Sequence, residues 1–273
     1  MYNPEAKPLW LLQNNGINRV TENIAKVLNA QNRRFLDISV HSCETFESDL
    51  DHRLAEEGLD VWAQPTFFMG SVLMLEAVLK SEKYKSLAHY NPDHFETPMW
   101  VEKLGNQMLN ATYEESTLEA AANCEQPVFV RPLAAHKLFT GALICKETFP
   151  DWFFQANQRN PKLTLDSKVC MSTPRTILKE WRVICVNGQP RLWSSYKDGS
   201  SLSVSADIEA NALLFAQQVA KQWVPGQLCT LDVAKTPAGY KVVEFNGVHC
   251  CGIYAIEPTQ FVGLVDDFLT GQT

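Results

Sequence analysis

The stretch that decides the fold is Leu231-Asp-Val-Ala-Lys-Thr-Pro-Ala-Gly-Tyr-Lys-Val-Val-Glu-Phe-Asn246. Residues 227–235 and 240–246 are strand-like. Thr236-Pro237-Ala238-Gly239 between them is turn chemistry, because proline presets φ and glycine permits φ > 0. Folding about residues 237–238 sets Asp232 opposite Val243 and Glu244. Glu244 and Asn246, two apart on a strand, share one face. Two carboxylates and an amide oxygen on one hairpin suit a hard cation such as Mg²⁺. The same pattern also fits an ordinary hairpin with a solvated polar face, so residues elsewhere must decide.

Upstream lie three cations in or beside strand-like runs: Arg131 in Phe129-Val-Arg-Pro132, Lys137 in the following loop, and Arg182 in Glu180-Trp-Arg. A charge in an apolar strand must reach solvent or find a partner, because burying it alone is expensive. Each cation alone fits a strand-edge pair with a carboxylate. Together with the downstream oxygen donors, they are what a Mg²⁺-nucleotide needs on its two sides.

Around these residues the chain divides. Residues 8–90 alternate strand and helix signals: Leu9-Trp-Leu-Leu12, a helix over 18–29 with Val20, Ile24, Val27 and Leu28 on one face, a strand over 34–40, and a helix opened by Gly70-Ser71. That alternation predicts a small parallel sheet covered by helices. Residues 91–98 read as a linker and 100–109 as a helix. From Gln126 onward the chain is β-rich, with Asn187-Gly188 as a two-residue hairpin turn. Residues 197–206, rich in Ser and Gly, read as a mobile loop. Asp207 reads as the cap of a helix reaching Trp223, with Ile208, Leu213, Ala216 and Val219 toward the core. Neither GxGxxG nor a Walker-type loop occurs.

The 273 residues suffice for a sizeable core. A net charge of −7 gives no basis for sequence-independent nucleic-acid binding. No apolar run approaches the roughly 20 residues of a membrane span, and the first residues do not read as a signal peptide. Eight cysteines without a Cys-x-x-Cys read as small hydrophobes of a reduced, cytoplasmic compartment. His249-Cys250-Cys251 could be read as part of a soft-metal site, but only three residues cluster there.

Phe129-Val-Arg-Pro132, Lys137-Leu-Phe-Thr-Gly141, Glu180-Trp-Arg182 and Asp232…Glu244-Phe-Asn246, in that order, resemble the ATP-grasp superfamily. The likeness is greatest to its clade with two arginines and one lysine in the nucleotide site, and it covers roughly 127–254. It implies an α+β fold in which two subdomains clasp ATP (96–273), preceded by a small α/β domain (1–95). It also implies that Arg131, Lys137 and Arg182 contact phosphates, with Lys137 and Arg182 catalytic. Asp232, Glu244 and Asn246 would hold Mg²⁺. Val169-Cys-Met-Ser172 would be the hinge strand, with Met171 and Ser172 at adenine, and the loop from Lys137 to Gly141 would close over the phosphates. Tyr196, Lys197 and Tyr254 are weaker substrate candidates.

The chemistry so implied is ATP-dependent ligation of a small-molecule or peptide carboxylate to an amine, or a similar nucleophile, through an acylphosphate. Two other readings remain at this point: an ATP-binding regulatory module without catalysis, and a structural α+β protein with accidental motif matches. Substrate identity and oligomeric state are not readable from the sequence.

Overall fold

A computed structural model describes residues 6–14, 19–133 and 138–273. Three sheets organise it. The first is parallel, in the order β2-β1-β3, built from β1 (Leu9–Gln13), β2 (Phe35–Ile38) and β3 (Thr66–Met69). β1 is central and buried along its whole length, as a continuous apolar run in a parallel sheet requires. Helices α1 (Arg19–Ala30), α2 (Phe46–Glu57) and α3 (Val72–Lys80) cover it. Ser71 caps α3 by accepting from the Met74 N–H. The expected parallel sheet and the Gly70-Ser71 helix start are therefore present.

The second sheet is antiparallel, in the order β4-β7-β5-β6, from β4 (Glu114–Thr117), β5 (Val128–Pro132), β6 (Ala142–Ile144) and β7 (Lys168–Ser172). It packs on α5 (Leu118–Ala122) and α6 (Phe149–Arg159).

The third sheet, also antiparallel, runs β10-β9-β8-β11-β12: β8 (Lys179–Val186), β9 (Gln189–Asp198), β10 (Ser201–Ser205), β11 (Leu228–Thr236) and β12 (Gly239–Gly247). Alternation along its strands separates structure from chemistry. Val183, Cys185, Leu231 and Val233 pack with α7 (Ala210–Gln222) and with Trp100 of α4 (Thr97–Leu104). The intervening residues Glu180, Arg182 and Asp232 face the opposite side. The last helix, α8 (Pro258–Leu269), returns to the first sheet, where Phe261, Val262 and Val265 meet Trp10, Ile24 and Leu28.

Four local expectations differ from the structure. Residues 197–206 are not a loop: they are the end of β9, a turn at Gly199 (φ 56°) and β10. Their serines pair through the backbone, which composition does not register. Residues 91–98 are not a linker: they form a 3₁₀ turn and the start of α4, and they bury Phe95 in the core of the third sheet. The helix expected over 100–109 is Thr97–Leu104. Asp207 does not cap α7, whose preceding residue is Glu209; Asp207 is instead tied to the Ser205 hydroxyl. All eight cysteines are free. Among the described residues no helix is long and apolar enough to cross a membrane.

Candidate active site

The hairpin β11–β12 forms as its turn chemistry requires, with Asp232 directly opposite Glu244 and Thr230 opposite Asn246. Directly opposed residues of antiparallel strands share a face, so Asp232, Glu244 and Asn246 lie on one side of the third sheet. On the next strand Arg182 is directly opposite Asp232.

Two β-bulges shape this face. The first makes Val243 the extra residue between the pairs Asp232–Glu244 and Val233–Val242. A bulge leaves its extra residue out of the ladder, and the Val243 carbonyl accepts from Arg131 Nη1 at 2.9 Å. The second makes Tyr196 the extra residue between Glu180–Lys197 and Trp181–Ser195. Two successive side chains consequently reach one carboxylate. Tyr196 Oη donates to Glu180 Oε2 at 2.6 Å, and Lys197 Nζ lies 2.9 Å from Glu180 Oε1.

The charges are paired. Arg182 grips Asp232 through two bonds, Nε to Oδ1 at 2.9 Å and Nη2 to Oδ2 at 2.7 Å, and its Nη1 donates to the Gly252 carbonyl at 3.2 Å. Both residues are buried. Burial works against the Arg182 charge, but the Asp232 carboxylate more than offsets it and lifts the guanidinium pKa above its usual value. Arg131 Nη2 donates to Glu244 Oε2 at 2.8 Å, and its guanidinium lies over the Trp100 ring at 5.3 Å.

Tyr196 and Tyr254 stack with ring centroids 4.8 Å apart, and Arg182 lies over both, at 5.8 and 5.2 Å respectively. Tyr254 adopts φ 50°, a conformation unusual for a bulky residue. Burial raises the pKa of Tyr196, as do the Asp232 and Glu180 carboxylates, so it remains a protonated donor. Burial likewise raises Tyr254.

Seven of the sequence-derived residues meet in one cleft of about 1070 Å³: Arg131, Arg182, Asp232, Glu244, Tyr196, Lys197 and Tyr254. That volume suits a ligand of nucleotide size. Asn246 opens on an adjoining cleft of about 670 Å³, which shares Arg131, Thr140, Gly141 and Glu244 with the first. Met171 and Ser172 line neither; they border a separate groove with Tyr113, Glu114, Pro127 and Val128. Lys137 lies outside the described residues. Gly141 rests where an added Cβ would stand 2.7 Å from the Phe129 ring, so the segment before β6 passes close over β5.

The oxygen donors fit a hard cation. Asn246 Nδ2 donates to Glu244 Oε1 at 2.9 Å, while the buried Asn246 Oδ1 has no hydrogen-bond partner among the described residues. A buried, unpaired amide oxygen beside a carboxylate is an unmet acceptor that a cation would satisfy. No group of three or more His, Cys, Asp or Glu among the described residues forms a metal site. His249 is instead stacked on Phe68 at 4.0 Å and bonded through Nδ1 to the Phe68 carbonyl at 2.8 Å. Burial pushes the Cys251 thiol up to about 12.

Residues 104–264 match the family model of the ATP-grasp domain of the two-arginine, one-lysine clade, family 2. The chain belongs to this family. Solved ATP-grasp structures share its fold. The ATP-grasp ligase PsnB complexed with a minimal precursor is 14% identical, with a TM-score of 0.57 over 98% of this chain and 99% of that one. D-alanine–D-alanine ligase from Bacillus anthracis is 10% identical, with a TM-score of 0.56 over 97% and 94%. N5-carboxyaminoimidazole synthetase from Staphylococcus aureus is 10% identical, with a TM-score of 0.58 over 100% and 80%. No curated protein matches the chain.

On this ATP-grasp scaffold, reasoning from sequence passed over Glu180 as a site residue. The signal was present: Glu180 is two positions before Arg182 in one strand and so shares its face. The Val243 and Gly252 carbonyls carry no such signal, since any residue type can supply them.

Proposed function

We propose that this ATP-grasp protein is a Mg²⁺- and ATP-dependent ligase that joins a carboxylate to an amine or similar nucleophile. A substrate carboxylate oxygen would attack the γ-phosphorus and release ADP. The nucleophile would then attack the acyl carbon, losing a proton as phosphate departs. The observation that carries the reading is the opposed set Asp232, Glu244 and Asn246, facing Arg131 and Arg182 across one cleft.

Asp232, Glu244 and the unpaired Asn246 Oδ1 would hold Mg²⁺, which when bound neutralises charge on the phosphates. The chain's own part is positioning and electrostatics. Without ligand, Arg182 and Arg131 neutralise the carboxylates. When a nucleotide enters, the guanidiniums would turn to phosphate oxygens as the cation takes the carboxylates. No side-chain nucleophile is needed.

Lys137 would join the phosphate contacts. Met171 and Ser172 would offer backbone to adenine. Tyr196, Lys197 and Tyr254 would face the substrate, with residues 1–95 closing the site from the other side.

Turnover tests the assignment. ADP formation in a screen of carboxylate and amine co-substrates should depend on both partners, and Glu244→Gln should abolish it while the far-ultraviolet spectrum stays unchanged. Full turnover by Glu244→Gln would contradict the reading.

A further inference from the structure

The cleft beneath the third sheet carries four cations and three carboxylates, and six of the seven are matched. Arg131 pairs with Glu244 at 2.8 Å, Arg182 with Asp232 at 2.7 Å and Lys197 with Glu180 at 2.9 Å. The seventh is Arg175, which has no carboxylate partner among the described residues. It is exposed, yet it lines the same cleft with Ile177.

Its place in the chain is specific. Residues 173–178 form the connection from β7 to β8, and hence from the second sheet to the third. Pro174 fixes φ immediately before Arg175 and holds Thr173 extended. The far end is pinned, since the Leu178 N–H donates to the Lys235 carbonyl at 2.8 Å and the Leu178 carbonyl accepts from Gly199 at 2.8 Å. Arg175 therefore projects from a short, anchored bridge at the edge of the cleft.

We propose that Arg175 is a further nucleotide-binding residue, which supplies its guanidinium to the polyphosphate of the bound nucleotide. The inference rests on the ATP reading above. A polyphosphate carries several negative charges, and three of the four cleft cations are already neutralised within the protein. Arg175 is the described cleft cation whose charge is uncommitted. It costs no broken ion pair to recruit, and its planar fork matches phosphate oxygens. A single substrate carboxylate would not need it.

The test is calorimetric titration of Mg²⁺-AMPPNP into wild type, Arg175→Ala and Arg175→Lys, beside the melting temperature of each unligated protein. Because Arg175 is exposed and unpaired, the unligated melting temperatures should coincide. Arg175→Ala should weaken binding by about tenfold or more, and Arg175→Lys should recover part of the loss as a point charge. A dissociation constant for Arg175→Ala within about twofold of a binding-competent wild type would overturn the assignment of Arg175 alone. Wild type that does not bind Mg²⁺-AMPPNP would overturn the ATP reading, and this inference with it.

Discussion

Arg182 and Asp232 show how the site is held ready at the scale of single residues. Both are buried, and they share two hydrogen bonds. Removing one partner of such a pair leaves an uncompensated buried charge. Arg182→Ala should therefore lower unfolding stability by about 3–5 kcal/mol, and adding Asp232→Asn should recover a large part of that loss. Urea denaturation of the two variants measures this directly. Equal stability of wild type and Arg182→Ala would contradict the pairing. Much of this was legible beforehand, because the alternation around Arg182, Asp232, Glu244 and Asn246 places them on one face. The partners were not. In sequence, a cation in a strand fits a phosphate or a carboxylate equally well, and in the unligated protein the carboxylate holds it.

Among the elements, turns and bulges decide where side chains arrive. Asn187-Gly188 is a turn with φ of 50° and 71°, as its composition predicts. At Gly188 an added Cβ would also stand 3.1 Å from the Ala220 carbonyl of α7. Gly188→Ala should cost about 1–2 kcal/mol for the left-handed backbone, and so lower the melting temperature by roughly 2–8 °C at 2–4 °C per kcal/mol. An unchanged melting temperature would show that the hairpin relaxes freely. The bulges at Val243 and Tyr196 were not legible, because a bulge depends on register between strands and not on one strand's composition. For the same reason the serine-rich segment 197–206 reads as a loop and folds as strand pairs. α8 was missed although Pro258 and the pattern Phe261, Val262, Val265 mark it.

Across the whole molecule, the first sheet and the C-terminal helix are joined by a polar tie as well as by their apolar core. Asp266 of α8 accepts from Arg33, paired through both nitrogens, and from Trp10 Nε1 at 3.1 Å. Nearby, His249 connects the third sheet to the first. It is buried on Phe67 and Phe68, with His89 6.4 Å away. Burial lowers the His249 pKa from 6.5 to about 3. Burial also lowers His89. The folded protein thus keeps His249 neutral where the unfolded chain takes up a proton. Between pH 6.5 and 3 the unfolded state binds more protons, so this residue makes stability fall as pH falls. The slope approaches about 1.4 kcal/mol per pH unit. Unfolding of wild type and His249→Phe at pH 7 and pH 5 should show a shallower loss in the variant, and equal losses would contradict the assignment.

The central claim is that the β11–β12 hairpin holds a Mg²⁺-nucleotide, and melting temperatures with and without saturating Mg²⁺-ATP test it most directly. A ligand at about 100 times its Kd adds roughly 2.7 kcal/mol, a shift of roughly 5–10 °C for a protein of this size. Wild type should show a Mg²⁺-dependent shift of that order, and Glu244→Ala should lose it. An undiminished shift in Glu244→Ala would contradict the placement of the nucleotide site.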